Sequence, residues 1–180
     1  MNAKKILINA IANVVTKKPF DQITVQDILD EAEISRGTFY KYFKDKYEVA
    51  NAYYETYVTN NILTKYNGSN WEQLVCEILI FVKNNLTYFN ELNTSKGVNT
   101  FMHFLTNYSY SFFKSVYMEN RKTTTLTKIE EYKLWFVTGS NIMTLEKWME
   151  NGCDVNPYLL GKEMISMMPE EYFMHVHKKD

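Results

Sequence analysis

Residues 34–46, Ile-Ser-Arg-Gly-Thr-Phe-Tyr-Lys-Tyr-Phe-Lys-Asp-Lys, gather a guanidinium, three ammonium groups and several hydroxyls on one short stretch. Side chains of these types bond phosphate oxygens and base edges directly, without a cofactor. Phe39 and Phe43 stand four apart, so they share one helical face and can anchor the segment in a core. Arg36, Thr38, Tyr40, Lys41 and Tyr42 then point elsewhere, as the outward face of a short, pinned helix suited to a DNA groove. Ser35 can cap the start of that helix, and Asp45 with Glu48 forms a capping box for the next one. Arg36, Lys41, Lys44 and Lys46 against Asp45 give residues 35–46 a net charge of +3, in a chain whose total is −1. A polyanion must therefore be met by a local field, because the molecule has no global one.

Other residue types capable of chemistry point less far. His175 and His177, with Cys153 upstream, have metal-ligand composition, but beside Lys178 and Lys179 they read as an exposed tail. His103 has Asn99 and Asn107 one helical turn away on either side, which suits hydrogen bonding better than metal binding. Glu130-Glu131 and Glu170-Glu171 are adjacent pairs, whose side chains diverge by about 100° on a helix and cannot flank one bond. Nothing has the pattern of a nucleophile elbow, a phosphate-cradling glycine loop or a zinc-protease helix. No catalytic residue, metal or cofactor is expected. Cys76 and Cys153, two cysteines far apart, read as reduced thiols of a cytoplasmic protein. No apolar run approaches the roughly 20 residues of a membrane span. Lys4-Lys5 followed by Ile6-Leu7-Ile8 lacks the unbroken apolar core and small-residue cleavage site of a signal peptide.

The elements that must position these groups are helices. In 180 residues there are three Pro and six Gly, and no alternating run reads as a strand, so the fold class is all-α with about nine helices. Ile6, Leu7, Ala10, Ile11, Val14 and Val15 mark a first helix over 3–16, stopped by Pro19. Thr24 with Asp27 opens a second through Ala32, and Glu33-Ile34 turns into Ser35, which completes a helix-turn-helix arrangement. A fourth helix runs from 46 to about 66 and breaks at Asn67-Gly68-Ser69-Asn70, where Ser69 and Glu72 can form a cap. Helices follow over 71–85, around Tyr88-Phe89, over 98–119 after Lys96-Gly97, and over 127–151, ended by Gly152. A last one starts at Asn156-Pro157 and stops before Pro169. From residue 66 on the balance is slightly acidic, 11 Lys and Arg against 13 Asp and Glu. The helix at 127–151 carries Ile129, Tyr132, Leu134, Trp135, Phe136, Ile142, Met143 and Trp148 on most of its sides, so one face calls for a partner. Helices 127–151 and 156–168 from two copies can pack as a four-helix bundle, giving a homodimer through residues 127–168.

Thr24-Val25-Gln26-Asp27-Ile28 and the run from Ile34 to Lys46, with its paired aromatic, second aromatic, Phe and following Lys, resemble the TetR/AcrR family of transcriptional regulators. The likeness is strong over residues 3–50. A weaker one, through Phe136-Val137-Thr138-Gly139 and Trp148 to Met168-Pro169, is to a subgroup of dihydroxyacetone kinase operon regulators. The resemblance implies a helix-turn-helix DNA-binding domain over 1–48 and an effector-binding and dimerisation domain over 49–180. It implies a ligand-responsive repressor that reads a pseudo-palindromic double-stranded operator as a homodimer. Thr24, Tyr40, Tyr42 and Lys46 would hold phosphates, Arg36, Gly37, Thr38 and Lys41 would face base edges, and Ser35 and Lys44 would belong to the same surface. The family's effector cavity would be lined by Tyr88, Phe101, Phe104, Tyr108 and Phe136, with His103 or Asn107 orienting an apolar or aromatic small molecule. The alternatives are a DNA-binding or interaction protein without an effector and, much further off, a helical enzyme. One departure is Glu33, where the family has Gly; a positive φ there costs about 1 kcal/mol.

Overall fold

Side-chain caps decide where most of the helices begin. The computed structural model describes residues 2–66, 70–93, 100–169 and 172, which hold nine α-helices and no strand. These are α1 (Ala3–Val15), α2 (Val25–Ala32), α3 (Arg36–Phe39), α4 (Lys46–Tyr57), α5 (Trp71–Asn84), α6 (Leu86–Asn93), α7 (Phe101–Asn120), α8 (Lys128–Glu150) and α9 (Pro157–Ser166). The all-α architecture read from the sequence is the observed one. Asn2 starts α1, Thr24 starts α2, Thr127 starts α8, and Asn156 with Pro157 at the first helical position starts α9. Ahead of α5 the Asn70 amide oxygen accepts the Gln73 N–H at 3.0 Å. The turn at Gly68-Ser69, the break at Lys96-Gly97, Val98, Asn99, the Glu170-Glu171 pair and the His175/His177 tail lie outside the described residues.

The fourth helix is shorter than its apolar spacing implies. It is α-helical only to Tyr57, then forms a π-type turn over Val58–Ile62 and a 3-10 turn over Leu63–Lys65. Val58 and Ile62 stay buried, so the apolar pattern runs on. The Asn61 amide, however, donates to the Tyr57 carbonyl at 3.1 Å and competes with the backbone for it.

The chain divides into two compact units, Met1–Asn61 with Asn85–Phe101, and Ile62–Asn84 with Met102–Asp180. In the first, α1 packs on α2 and α4 around the fully buried Leu7, Ile11, Phe20, Ile28, Phe39 and Val49. α6 joins this unit through Phe89, which stacks on Phe101 at 5.1 Å, and through Tyr88, whose hydroxyl donates to the Ala50 carbonyl at 3.0 Å. Burial of this kind, at about 25 cal/mol per Å² of apolar surface, supplies most of the stability of each unit.

In the second unit α5 packs closely on α9. A Cβ at Gly161 would lie 2.7 Å from Cys76 Sγ, so any larger residue there would force Cys76 to shift. α8 buries Leu134, Val137, Leu145, Trp148 and Met149, yet leaves Ile129, Tyr132, Phe136 and Met143 exposed along its length. α9 and its end add Tyr158, Leu159 and Met167, which are likewise exposed. Among the described residues no helix is long and apolar enough to cross a membrane.

Candidate nucleic-acid interface

α3 is short because its two ends are set by side chains and a turn. The Ser35 hydroxyl accepts the Thr38 N–H at 3.3 Å and sits 3.0 Å from the Thr38 hydroxyl, so both polar groups are held at the start of the helix. Beyond Phe39 the backbone tightens, with the Phe39 carbonyl accepting N–H groups from both Tyr42 at 2.9 Å and Phe43 at 3.0 Å. Phe39 and Phe43 are both buried, their ring centroids 6.0 Å apart. They fix the inward side, and Ser35, Arg36, Gly37, Tyr40, Lys41, Tyr42 and Lys44 are left exposed on the other. The Arg36 guanidinium carbon lies 5.9 Å from the Tyr40 ring centroid, a cation–π contact that steadies the long side chain. A Cβ at Gly37 would meet nothing within 4 Å, so the protein's own packing makes no demand for glycine there. An empty position of this kind lets another backbone or a base edge come close.

The turn before Ser35 has the geometry that the resemblance implies. Glu33 adopts φ 52° and ψ 40°, a left-handed conformation, and its carboxylate-bearing side chain is exposed.

α2 is tied to α1 by charges that are all engaged. Lys18 donates to Asp27 at 2.6 Å, and the same Asp27 oxygen accepts the Thr24 N–H and hydroxyl, each at 2.6 Å. The Lys18 bond first, and then those from Thr24, hold the Asp27 carboxyl well below the usual carboxylate range. Glu31 receives Asn13 at 3.1 Å and pairs with Lys17. Thr24, expected on a phosphate, is exposed as the cap of α2, but its N–H and hydroxyl both donate to Asp27, whose carboxylate already holds the anion position at the start of that helix.

Lys46 has a different place from the expected phosphate contact. Its ammonium donates to the carbonyls of Phe20 at 2.8 Å, Asp21 at 3.1 Å and Ile23 at 2.8 Å, and lies 4.8 Å from the Phe20 ring centroid. An ammonium has three donors, so none remains for a phosphate oxygen. Burial also pushes its pKa down, with Asp21 pulling the other way. Glu48 departs from the capping box in a smaller way: Asp45 accepts the Glu48 N–H at 2.8 Å, but the Glu48 carboxylate reaches back to the Lys44 N–H at 2.6 Å.

The residues expected around an effector fall in both compact units. Tyr88 and Phe101 lie in the core of the first unit, already packed and hydrogen-bonded as described. His103, Phe104, Asn107 and Tyr108 share one side of α7 in the second unit. There Asn107 Nδ2 lies 3.1 Å from the His103 ring nitrogen, and the Phe104 and Tyr108 rings stack at 5.7 Å. Phe136 is 78% exposed on α8, which places it on an outward strip rather than in an internal cavity of its unit. A cavity of about 210 Å³ lies elsewhere in the second unit, walled by Ile62, Tyr66, Asn70, Gln73, Leu74 and Glu77. The Tyr66 hydroxyl is buried and has no hydrogen-bond partner among the described residues, and burial pushes its pKa up. Sequence reasoning misses this cavity, because Tyr66 follows the break in α4 and only the fold brings it against α5.

Comparison with known proteins agrees with this geometry. A family model described as bacterial regulatory proteins, tetR family, matches residues 7–53, and one described as transcriptional regulator C-terminal region matches residues 69–170. The HTH-type dhaKLM operon transcriptional activator DhaS of Lactococcus lactis subsp. lactis (strain IL1403) is 25% identical over 89 residues, covering 49% of this chain and 48% of that protein. The chain therefore spans about half the length of this curated relative. A solved structure of the dihydroxyacetone kinase operon activator DhaS superposes with a TM-score of 0.65 at 18% identity, over 92% of this chain and 93% of the other, which shows a shared fold. With both halves matched, the chain belongs to the tetR family of bacterial regulatory proteins: it is a DNA-binding transcription regulator and not an enzyme.

Proposed function

We propose that this regulator binds a pseudo-palindromic operator as a homodimer and responds to a small-molecule effector. The observation that carries the reading is the exposed face of Arg36, Gly37, Tyr40, Lys41 and Tyr42 around the buried Phe39 and Phe43. Arg36, Gly37, Thr38 and Lys41 read base edges, Tyr40 and Tyr42 hold phosphates, and Lys44 adds charge at the rim. The exposed apolar strip of α8 and α9, residues 127–168, is the dimer surface, because a helix apolar on two sides needs two neighbours. The reading helices lie within residues 1–48, and the effector and dimer surfaces lie within 49–180. The bacterial cytoplasm, where operator DNA lies, is where the protein acts.

The effector works by population shift: a ligand that favours the form poorly spaced for the operator lowers DNA affinity by the difference in its own affinities. Two places in the second unit suit a small ligand, the aromatic and amide side of α7 and the 210 Å³ cavity beside Tyr66. The second lies below the roughly 300–1,000 Å³ of drug-sized sites, so it fits only a small molecule. Repression by occupying a promoter is the first reading. Activation is the second, favoured by the name of the Lactococcus relative, a transcriptional activator.

The test is binding to duplexes selected from a random pool by the unmodified protein. Arg36→Ala should cost about 1–3 kcal/mol on the selected duplex and relax preference at one position. Unchanged affinity and preference would remove Arg36 from the reading face, and failure to select any duplex would end the operator reading.

A further inference from the structure

We infer that Glu91 and Lys46 are positioning residues for operator binding, gripping the Phe20–Gln22 turn from its two ends and so setting where Thr24 and α2 stand. The inference rests on the operator-binding reading above. The turn is a single 3-10 turn between α1 and α2, too short to satisfy its own ends. Phe20 is 1% exposed, so an unbonded N–H there would be costly. Glu91 Oε2, on α6, accepts that N–H at 3.2 Å across 71 residues of sequence. At the other end the carbonyls of Phe20, Asp21 and Ile23 converge on the Lys46 ammonium of α4 at 2.8–3.1 Å. A carboxylate thus stands at the donor end of the turn and a cation at its acceptor end, as the local dipole requires.

The grip is tight enough to transmit position. The Phe20 ring lies under the Lys46 ammonium and edge-on to Tyr47 at 5.4 Å, so the turn cannot slide without breaking both contacts. The carbonyl of Ile23 is held by Lys46, and the next residue is Thr24, the cap that starts α2. Glu91 falls within residues 69–170, the region matched to regulator C-terminal regions, yet α6 belongs to the compact unit that carries the reading helices. A residue of the C-terminal family region therefore sets part of the DNA-reading surface.

The experiment uses the full chain, the selected duplex and a random-sequence duplex. Glu91→Ala should lower affinity for the selected duplex by about tenfold, the scale of one lost charge-assisted hydrogen bond, while affinity for the random duplex stays within about twofold. Glu91→Gln, which keeps an acceptor oxygen, should recover most of it. Hydrogen exchange at the Phe20 amide should speed up in Glu91→Ala and not in Glu91→Gln, a readout that a general packing loss would not confine to one amide. Lys46→Met should weaken selective binding without changing its salt dependence, whereas a phosphate contact would lower the slope by about one unit. Normal selectivity in Glu91→Ala, or a slope reduced by about one in Lys46→Met, overturns the assignment. If Glu91→Ala fails to fold, the slope of Lys46→Met decides alone. Should the unmodified protein select no duplex, the operator reading itself is what has failed.

Discussion

Thr24–Asp27 and Thr127–Glu130 open α2 and α8 with the same pair of reciprocal bonds, but the two helices finish in opposite situations. The eight residues of α2 bury Ile28, Leu29 and Ala32 against the helices beside them, and the charges Asp27 and Glu31 are paired within the unit. The 23 residues of α8 bury one face and leave Ile129, Tyr132, Phe136 and Met143 exposed on another. A cap determines where a helix begins and nothing more. Whether the helix is complete within one chain depends on how many of its sides carry apolar residues and how many of those find neighbours. The reading region finds them internally, whereas α8 leaves room for the second copy proposed above.

The largest test of that contrast uses two phenylalanines. Phe39 is fully buried and Phe136 is 78% exposed. Phe39→Ala should cost about 3–5 kcal/mol of stability in denaturant melts, the usual loss for a large buried ring. Phe136→Ala should stay within about 0.5 kcal/mol in dilute, monomeric protein, as for other surface changes. It should nevertheless shift sedimentation toward monomer at higher concentration. Equal losses at the two positions would show that α8 is completed within the chain.

The caps come next in size. Thr24→Ala and Thr127→Ala should each cost about 0.5–2 kcal/mol, with Ser restoring most of it, because the two boxes are equivalent locally. Only Thr24→Ala should also weaken DNA binding. Loss of binding from both changes would show that a general loss of helix stability, rather than the place of α2, is responsible.

The smallest effect is one of pH. Asp27 is held well below its ordinary range by Lys18 and Thr24, and Glu130 is pulled down to about 2 by the hydroxyl and N–H of Thr127 and by Tyr117. Both carboxyls bind protons more weakly folded than unfolded. Their stabilisation is therefore complete above the ordinary carboxylate range, near pH 4–5, and is lost progressively as pH falls below that range toward the depressed folded values, about 2 for Glu130. Melting temperatures between pH 7 and 3 should fall less steeply in Asp27→Asn and Glu130→Gln than in the unmodified protein.

Much of this architecture is legible in the amino-acid sequence, and the reasons are local. Thr24, Ser35 and Asn156-Pro157 mark helix starts because a cap needs only residues three apart or fewer. The four-residue spacing of Phe39 and Phe43 is enough to orient the whole outward face. What the sequence hides depends on distant partners. The acceptors of Lys46 lie 23–26 residues away, and that of the Phe20 N–H lies on α6, so sequence reasoning assigns Lys46 to a phosphate instead. The end of α4 at Tyr57 is hidden because Val58 and Ile62 keep the apolar rhythm while Asn61 breaks the hydrogen-bond ladder. Phe136 reads as a cavity wall because aromatic composition cannot tell an inward ring from an outward one.

Glu33, at φ 52°, holds a left-handed turn that glycine would take with no Cβ strain, and it sets a carboxylate in the turn just ahead of α3. Relief of that strain is worth about 1 kcal/mol. Glutamate and glycine codons differ at a single middle base, so the change is among the shortest steps open to evolution here. A single base change would therefore exchange a strained, charged turn for an unstrained, neutral one while leaving every packed side chain in place.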